Sequence, residues 1–459
     1  MTQPSAGRLG WRDPLGLTVA SGWMFLLGLG PVYTLRNRIE PLPVGQYIDD
    51  ARVNVAFVIV HLAVIALLAR RLPALSTRAI ALLAGLHVLV VASALWSLAP
   101  ARSLTQGVLF ALTTAAALVV GDRLGVRGLV TALAASSQAG VLASQLAVRR
   151  GWPNTFDRNG DWAGIYLNRN SLGPVAVLAI LATAAAMWLW WVDGTSPDQT
   201  SPAQSRSVRS MFTNPAHGLA AIGLAAALAV DAHTLVRSAS LTPMVGAGVA
   251  LATVVVALGL PPMLRRTGGV EQPTPGMLAA GVATTWVGLA GLALLTRSEV
   301  STSLDRSATL SGRTELWGWL IDAASRRPLV GWGWLGVWED RALEAEVVGR
   351  FDVDFSTAHN SMIEMLLAAG VVGAVLLAAT AAALVWPPIR LAMEESPGRN
   401  AGVVALGLLG YVAAVNQLET YVGANLVPWA LLVGLAAAAG RHLARGGASG
   451  QPAAAGAVP

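Results

Sequence analysis

The feature that most constrains this chain of 459 residues is a series of apolar runs, each about 20 residues long, that recurs along its whole length. A helix of about 20 apolar residues spans the ~30 Å hydrocarbon core of a bilayer. Inside that core each backbone polar group needs a partner within the protein, which favours helices over open strands. The pattern therefore predicts an all-α polytopic membrane protein.

Twelve such runs can be read, so we expect about twelve transmembrane helices. The runs cover residues about 15–35, 52–69, 79–99, 102–121, 124–147, 171–192, 217–236, 241–260, 277–296, 360–386, 401–418 and 425–440. Only 12% of the residues are charged, about half the fraction that a soluble domain carries. The first run is too long for the core of a signal peptide and precedes no small-residue cleavage site, so we expect it to be retained.

The distribution of arginine predicts the orientation, because basic residues collect in the short loops on the cytoplasmic side. The chain has 31 basic residues, all of them arginine. With the N-terminus inside, about 15 arginines fall in inner segments and about five in short outer loops. We therefore expect a multi-pass protein of the cytoplasmic membrane with both termini in the cytoplasm. The inner arginines would lie near anionic lipid headgroups, so the basic charge does not indicate a nucleic-acid partner.

One polar stretch of about 60 residues, Arg297 to Ala358, interrupts the apolar runs. Lipid-spanning helices do not need such a segment, and long loops often carry function. We divide the chain into transmembrane helices 1–9 (residues 1–296), a large extracytoplasmic loop carrying the site (297–359), transmembrane helices 10–12 (360–440) and a disordered cytoplasmic tail (441–459). The loop is expected to contain short helices.

A short amphipathic helix is predicted inside this loop. Ser311 is a suitable N-cap, and Pro328 would end the helix. Apolar residues at helical spacing form its expected buried face: Leu316, Trp319, Leu320 and Ala323. Arg313 and Trp317 are four residues apart, so we expect the indole to stack on or beside the guanidinium. The aromatic segment that follows, GWGWLGVW at 331–338, is expected to anchor at the membrane interface, and direct stacking on a sugar is the alternative.

The composition argues against several kinds of site. The chain has no cysteine, which excludes disulfides and thiol nucleophiles. Its six histidines are scattered without metal-ligand spacing, so no metal site is predicted. No Gly-rich phosphate-binding loop is visible, and we expect no nucleotide cofactor.

Several segments together resemble the O-antigen ligase and O-antigen polymerase superfamily. The loop reads SGRTELWGWL, then RRPLVGWGWLGVW, then STAHNSMIEMLLAAGVVG. These are similar to the Arg-x-x-x-Trp motif, the Pro-x-x-Gly-x-Gly turn and the His-Asn pair that opens the next helix in that family. GIYLNRNSLGPVAVLA and HTLVRSASLTPMVG resemble two further segments of the family, the latter with its order altered to Arg237-Ser238. The chain also departs from the pattern at Ala369, where many members place a glutamate before Gly370.

The resemblance implies a membrane-embedded C-type glycosyltransferase that needs neither metal nor cofactor. Such an enzyme moves a glycan from an undecaprenyl-diphosphate carrier to the hydroxyl of a glycan or lipid acceptor at the outer membrane face. It implies catalytic roles for Arg237, Arg313 and His359, which we expect to converge. Arginine suits a diphosphate leaving group because its planar fork binds phosphate oxygens bidentately. A histidine can accept the proton of the acceptor hydroxyl near neutral pH.

Four further residues are candidates for substrate binding: Asn360, Asn170, Trp317 and Glu364. Glu364 lies about one turn inside a predicted span, where a carboxylate is costly, so we expect an arginine partner for it. Each candidate also has an ordinary structural interpretation, as a helix cap, an interface anchor or an ion pair. The oligomeric state, the sugar and the choice among a ligase, a polymerase and transfer to a protein hydroxyl stay open.

The main alternative is a multi-span transporter or a flippase of lipid-linked glycans. Twelve spans and cytoplasmic termini also describe such carriers. Two similar halves are not visible, however, and the long outer loop breaks the symmetry that carriers of this kind show. A membrane scaffold without enzymatic activity would leave the arginines and histidine of the loop unexplained.

Overall fold

The protein is described here as a computed structural model. The structure describes residues 13–32, 50–157, 159–166, 168–194, 215–267, 270–295, 313–339, 357–394, 398–419 and 426–449. Within these ranges the chain forms twelve α-helices, three short 3₁₀ turns and one isolated antiparallel bridge, but no strand. The expected all-α class is confirmed.

The helices follow the predicted runs closely. The first six are α1 (Pro14–Leu27), α2 (Ala51–Leu68), α3 (Thr77–Ala92), α4 (Pro100–Arg149), α5 (Arg169–Gly194) and α6 (Pro215–Ser238). The second six are α7 (Leu241–Arg266), α8 (Pro275–Leu295), α9 (Arg313–Ser325), α10 (Ser361–Ala392), α11 (Gly398–Val415) and α12 (Val427–Ser449). Helix α9 is the short amphipathic helix expected in the long loop.

Nine helices in the described part of the chain are long and apolar enough to cross a membrane. Two shorter apolar helices, Pro14–Leu27 and Pro275–Ala290, accompany them. Helix α4 has 50 residues, but Gly125 interrupts it with φ 66° and ψ 177°. Each half has about 24 residues and is long enough to span a bilayer. The two halves correspond to two predicted spans, and the count of twelve crossings stays a prediction.

One end of the helix bundle holds the loops that carry the predicted site, and we call it the site end. The amide of Trp162, in the connection before α5, donates to the carbonyl of Arg237 at the end of α6. Gly246, near the start of α7, packs against Val415 at the end of α11. The amide of Ser361, which begins α10, donates to the carbonyl beyond α11.

Helix α4 returns to the site end because of its central break. Ser103, near its start, donates to the Trp334 carbonyl in the loop before α10. Ser144, near its other terminus, accepts from the amide of Ile165 in the connection before α5. The residues around Gly125 therefore lie at the opposite end of the bundle, about 30 Å from Ser103 along the helix.

Candidate functional site

Three charged or titratable side chains meet at the site end. Glu419 accepts a hydrogen bond from Arg313 Nη2 at 2.6 Å through Oε1, and its Oε2 lies 2.8 Å from His359 Nδ1. Glu419 is only 8% exposed, so solvent screens these interactions weakly. Arg313 and His359 are two of the three residues expected to converge. Glu419, which was not among the residues predicted from the sequence, brings them together.

The arrangement determines how the imidazole of His359 can act. An ionised carboxylate only accepts hydrogen bonds, so the contact with Glu419 requires the proton on Nδ1. The other ring nitrogen, Nε2, is then an acceptor when the imidazole is neutral. Arg313 lies against the other oxygen of Glu419 and compensates the charge of the carboxylate. The site thus contains a histidine whose orientation and tautomer are set by a buried, paired carboxylate.

The backbone presents His359 in an unusual conformation. Its φ is 50°, in the left-handed region that histidine tolerates better than most residues but that still costs about 1–3 kcal/mol. Such a conformation persists where neighbouring contacts impose it. The adjacent Ala358 carbonyl accepts from the Trp317 indole at 2.8 Å, and the Ala358 amide donates to Glu364 Oε2 at 2.7 Å. These contacts position His359 before α10 begins.

Asn360 is the N-cap of α10. Its side-chain oxygen accepts from the amides of Met362 and Ile363, and its Nδ2 donates to the Gln417 carbonyl. The next residue, Ser361, donates through Oγ to Asn416 Oδ1 at 2.7 Å. The start of α10 is therefore tied to the turn after α11, which carries Glu419. Asn360 has a structural role here, and its contact with substrate stays a prediction.

Glu364 is almost fully buried, with 2% of its surface exposed. Its Oε1 accepts from the Trp338 indole at 2.7 Å, and its Oε2 accepts from the Ala358 amide. Arg313 pairs with Glu419 rather than with Glu364, and Arg102 is the arginine that interacts electrostatically with Glu364. Glu364 supports the loop that presents His359, since a buried carboxylate is stabilised by such donors.

Helix α9 confirms the predicted amphipathic pattern and corrects one predicted contact. Four side chains at the expected spacing are buried: Leu316, Trp319, Leu320 and Ala323. The helix ends at Ser325, shortly before Pro328, while the proposed N-cap Ser311 lies outside the described residues. Arg313 points to Glu419 and the Trp317 indole to Ala358, so the two side chains do not stack on each other as expected.

The Pro-x-x-Gly-x-Gly turn docks onto a break in α10. Ala369 and Gly370 depart from helical geometry. The carbonyls of Leu367 and Ala368 accept instead from the amides of Trp332 and Gly333, at 2.7 and 2.9 Å. The turn thus supplies the donors that the broken helix lacks, which a lipid-buried backbone requires.

Two glycines make this docking possible. Gly331 has φ 64°, and a Cβ there would lie 2.6 Å from the carbonyl carbon of Ala368. Gly370 also has φ 64°, and a Cβ there would lie 2.6 Å from the Pro328 oxygen. Glycine is required at both positions because the two backbones are in contact and φ is positive.

The tryptophans of the aromatic segment have partners within the protein, and their anchoring at the membrane interface stays a prediction. Trp334 is buried, stacks on Phe110 with 5.6 Å between ring centroids, and its amide donates to Ser93 Oγ. The Trp332 indole donates to the carbonyl of Ala323. The segment therefore fastens α9 and the docked turn to the bundle.

Arg237 lies at the site end, at the last turn of α6. Its side chain is exposed, and its guanidinium carbon lies 5.3 Å from the centroid of the Trp162 ring. That ring meets His233 edge-on. Asn170, at the start of α5, accepts from Ser240 Oγ just before α7. The structure places Arg237 and Asn170 on neighbouring helix ends, and their convergence with His359 stays a prediction.

Glu419 is the residue that sequence reasoning missed. It follows a buried apolar helix and lies in a turn predicted to face outward, on the same side as His359. A carboxylate beside a transmembrane span is a signal of function, because its burial needs a compensating partner. Among the side chains that the structure describes, no three histidines or carboxylates form a group suited to hold a metal ion.

Comparison with known proteins shows similarity to one family and to one relative. The O-antigen ligase family model matches residues 219–378, a range that includes Arg237, Arg313 and His359. The exopolysaccharide production protein ExoQ of Rhizobium meliloti (strain 1021) is 25% identical over 332 residues, which cover 71% of this chain and 69% of that relative. These similarities confirm the resemblance that the loop motifs indicated. Glu419 lies outside the range of the family model.

Proposed function

We propose that this member of the O-antigen ligase superfamily is a glycosyltransferase of cell-surface polysaccharide assembly. It moves a glycan from an undecaprenyl-diphosphate carrier to the hydroxyl of a glycan or lipid acceptor. The reaction takes place at the outer face of the cytoplasmic membrane, and both termini of the chain lie in the cytoplasm. The similarity to ExoQ, an exopolysaccharide production protein, supports the same general process.

The observation that carries this proposal is the His359–Glu419–Arg313 cluster. A histidine held by a buried carboxylate is a general base in the orientation that proton transfer needs. A scaffold protein has no need of such an arrangement. Carriers also use buried histidines and carboxylates to move protons, so the transfer assay has to separate a carrier from an enzyme. The cluster lies at the end of the bundle that also carries Arg237, an exposed cation.

The chemistry follows as a single displacement. The acceptor oxygen attacks the anomeric carbon of the donor glycan, and the bond from that carbon to the diphosphate oxygen breaks. His359 Nε2 takes the proton of the acceptor hydroxyl, and the bonding pair leaves with the carrier diphosphate. One displacement without a covalent intermediate inverts the anomeric carbon.

The arginines stabilise the charge that develops on the diphosphate. Arg237 is exposed and rests on Trp162, so its guanidinium is available to a ligand at the membrane surface. Arg313 uses one donor on Glu419, while a guanidinium carries five N–H groups. Oriented cations can therefore stabilise the leaving group without a divalent metal.

Transfer in vitro tests the proposal. The purified full-length protein in detergent is supplied with a purified lipid-linked glycan donor and an acceptor, with no membrane gradient present. Glycan transfer is expected with the wild type and loss of turnover with His359→Asn, which keeps a residue that tolerates positive φ. His442→Ala is the matched control, because His442 forms a His–Glu pair with Glu394 at the opposite end of the bundle.

The outcomes separate the candidate functions. Transfer without a gradient supports an enzyme, and elongation with donor alone indicates a polymerase rather than a ligase. Equal transfer by the wild type and His359→Asn would overturn the role of His359. Gradient-dependent movement of the lipid-linked glycan without transfer would establish the carrier alternative.

A further inference from the structure

A second charged site lies at the end of the bundle opposite His359. A cavity of about 570 Å³ opens there between α1, α2, α4 and α12, within the range of small-ligand sites. Its charged lining consists of Arg70, Arg71, Arg123, Arg445, Asp13 and Asp122. This cavity is separate from the proposed transfer site by about the thickness of the membrane, since Arg123 is about 30 Å along α4 from Ser103.

The two carboxylates at the cavity do not balance the arginines. Asp13 accepts from Nε and Nη2 of Arg123, both at 2.6 Å. Burial raises the pKa of Asp13, but the hydrogen bonds from Arg123 and the Gly16 amide and the charge of Arg123 lower it, and the net shift is downward. Asp13 and Arg123 therefore form a neutral pair that holds the start of α1 beside the break in α4.

Asp122 is shared between two arginines. Its Oδ2 lies 3.3 Å from Arg71 Nε, and its Oδ1 lies 3.5 Å from Nη1 of Arg441, which adjoins the cavity on α12. The Arg441 Nε is buried without an acceptor among the described residues. Among the described residues, four arginines line the cavity and Arg441 adjoins it, against two carboxylates, which leaves three formal positive charges.

We propose that this cavity binds a phosphate group, that of an anionic lipid headgroup in the leaflet at this end of the bundle. Several guanidinium groups surround one space. As a ligand for them, a phosphate ester with its tetrahedral oxygens fits better than a single carboxylate does. Apolar residues, Leu68 and Val119, line the same cavity and suit the glycerol and acyl portions of a lipid. Basic pockets between transmembrane helices are a known form of lipid recognition.

The position of the cavity gives the bound phosphate a structural effect. The ligand would contact the ends of α2 and α12 and the residues just before Gly125, where the backbone of α4 departs from helical geometry. A ligand that binds only the folded state stabilises it by mass action. The lipid would therefore hold these helices together and raise the thermal stability of the protein.

Lipid retention provides the first test. The purified full-length protein is exchanged into mixed micelles with equimolar phosphatidylglycerol and phosphatidylcholine, and bound lipid is measured by native mass spectrometry. The wild type is expected to retain phosphatidylglycerol preferentially. Arg445→Gln should reduce this retention about tenfold, the effect of losing one charge-assisted hydrogen bond, and Arg445→Lys should reduce it less.

Two controls make the result decisive. Arg445 is exposed and forms no ion pair with another described residue, so its substitution should leave the fold intact by gel filtration. The double variant Arg265→Gln/Arg266→Gln removes two exposed arginines from the end of α7, at the same end of the bundle but outside the cavity. It should retain phosphatidylglycerol as the wild type does.

Thermal stability is measured in inorganic phosphate and in chloride at equal ionic strength. This comparison separates free phosphate from a lipid headgroup as the source of the ligand. An Arg445-dependent rise in thermal stability with phosphate supports the phosphate site. If that rise occurs without preferential lipid retention, the ligand is free phosphate and the lipid source is wrong. Equal lipid retention by Arg445→Gln and the α7 control, with no phosphate-dependent stabilisation, would overturn the site itself.

Discussion

Nδ1 of His359 lies 2.8 Å from Oε2 of Glu419, although 60 residues separate the two in the chain. The other carboxylate oxygen of Glu419 binds Arg313, so one side chain orients the proposed base and compensates the cation beside it. Glu419 is thus a positioning residue for His359. The proposed mechanism depends on this contact more than on any other at the site end.

Glu419→Gln should lower the turnover number about 10–100-fold, because an amide of the same shape replaces a charged hydrogen-bond acceptor. The KM for the lipid-linked donor should change less, since the substitution acts on the base. Steady-state transfer assays measure both quantities. Glu394→Gln, in the His–Glu pair at the opposite end, is the control and should keep wild-type turnover. If Glu419→Gln lowers only the amount of folded protein and leaves the turnover per folded molecule unchanged, the positioning role is contradicted.

Arg313→Lys should impair transfer severely, by about 10²–10³-fold, even though the positive charge is kept. A lysine presents a point charge and cannot bind Glu419 and a diphosphate oxygen with one planar fork. The comparison is made with Arg327→Lys, whose guanidinium lies 4.4 Å from the Trp332 ring centroid, outside the proposed site. Retention of most of the activity by Arg313→Lys would show that the fork geometry is dispensable.

Gly331→Ala should destabilise the protein by roughly 2–6 kcal/mol, because the new methyl group meets the backbone of α10 and the residue keeps a positive φ. Thermal unfolding in detergent measures the change. Gly318→Ala is the matched control at an exposed position of α9, where a Cβ has open space and alanine favours the helix by about 0.5–1 kcal/mol. Equal stability of the two variants would refute the docking of the turn on α10.

Topology is tested by reporters fused within residues 297–358 and within 193–215. The first reporter should be accessible from outside and the second from the cytoplasm, because about 15 arginines lie in the inner segments against about five in the short outer loops. Accessibility is measured in intact cells with a membrane-impermeant label. Finding both reporters on the same side of the membrane would contradict the proposed orientation.

Transfer should continue in the presence of a chelator, because the proposed mechanism assigns the diphosphate charge to arginines rather than to a divalent ion. The measurement is the transfer rate before and after chelation, followed by addition of Mg²⁺ or Mn²⁺. Activity lost with the chelator and restored by either ion would contradict the metal-independent mechanism.

Much of the fold follows directly from the sequence because hydrophobic length and periodicity act locally. About 20 apolar residues in a row define a helix in a bilayer wherever they occur. The buried face of α9 was predicted correctly from the spacing of Leu316 and its neighbours, which depends only on the 3.6-residue turn. Arg313 and His359 were selected through motifs that are contiguous in the chain.

The tertiary structure alone decided which groups meet. Glu419 is a single carboxylate in a turn, and no local pattern connects it with a histidine 60 residues earlier. The hydrogen-bond partners of Trp317 and Glu364 could not be predicted from the sequence because they depend on how the loop folds back on α10. Hydropathy, which is a local property, determines that a helix crosses the membrane. The packing of helix ends determines which polar side chains lie close together, and that packing depends on the whole chain.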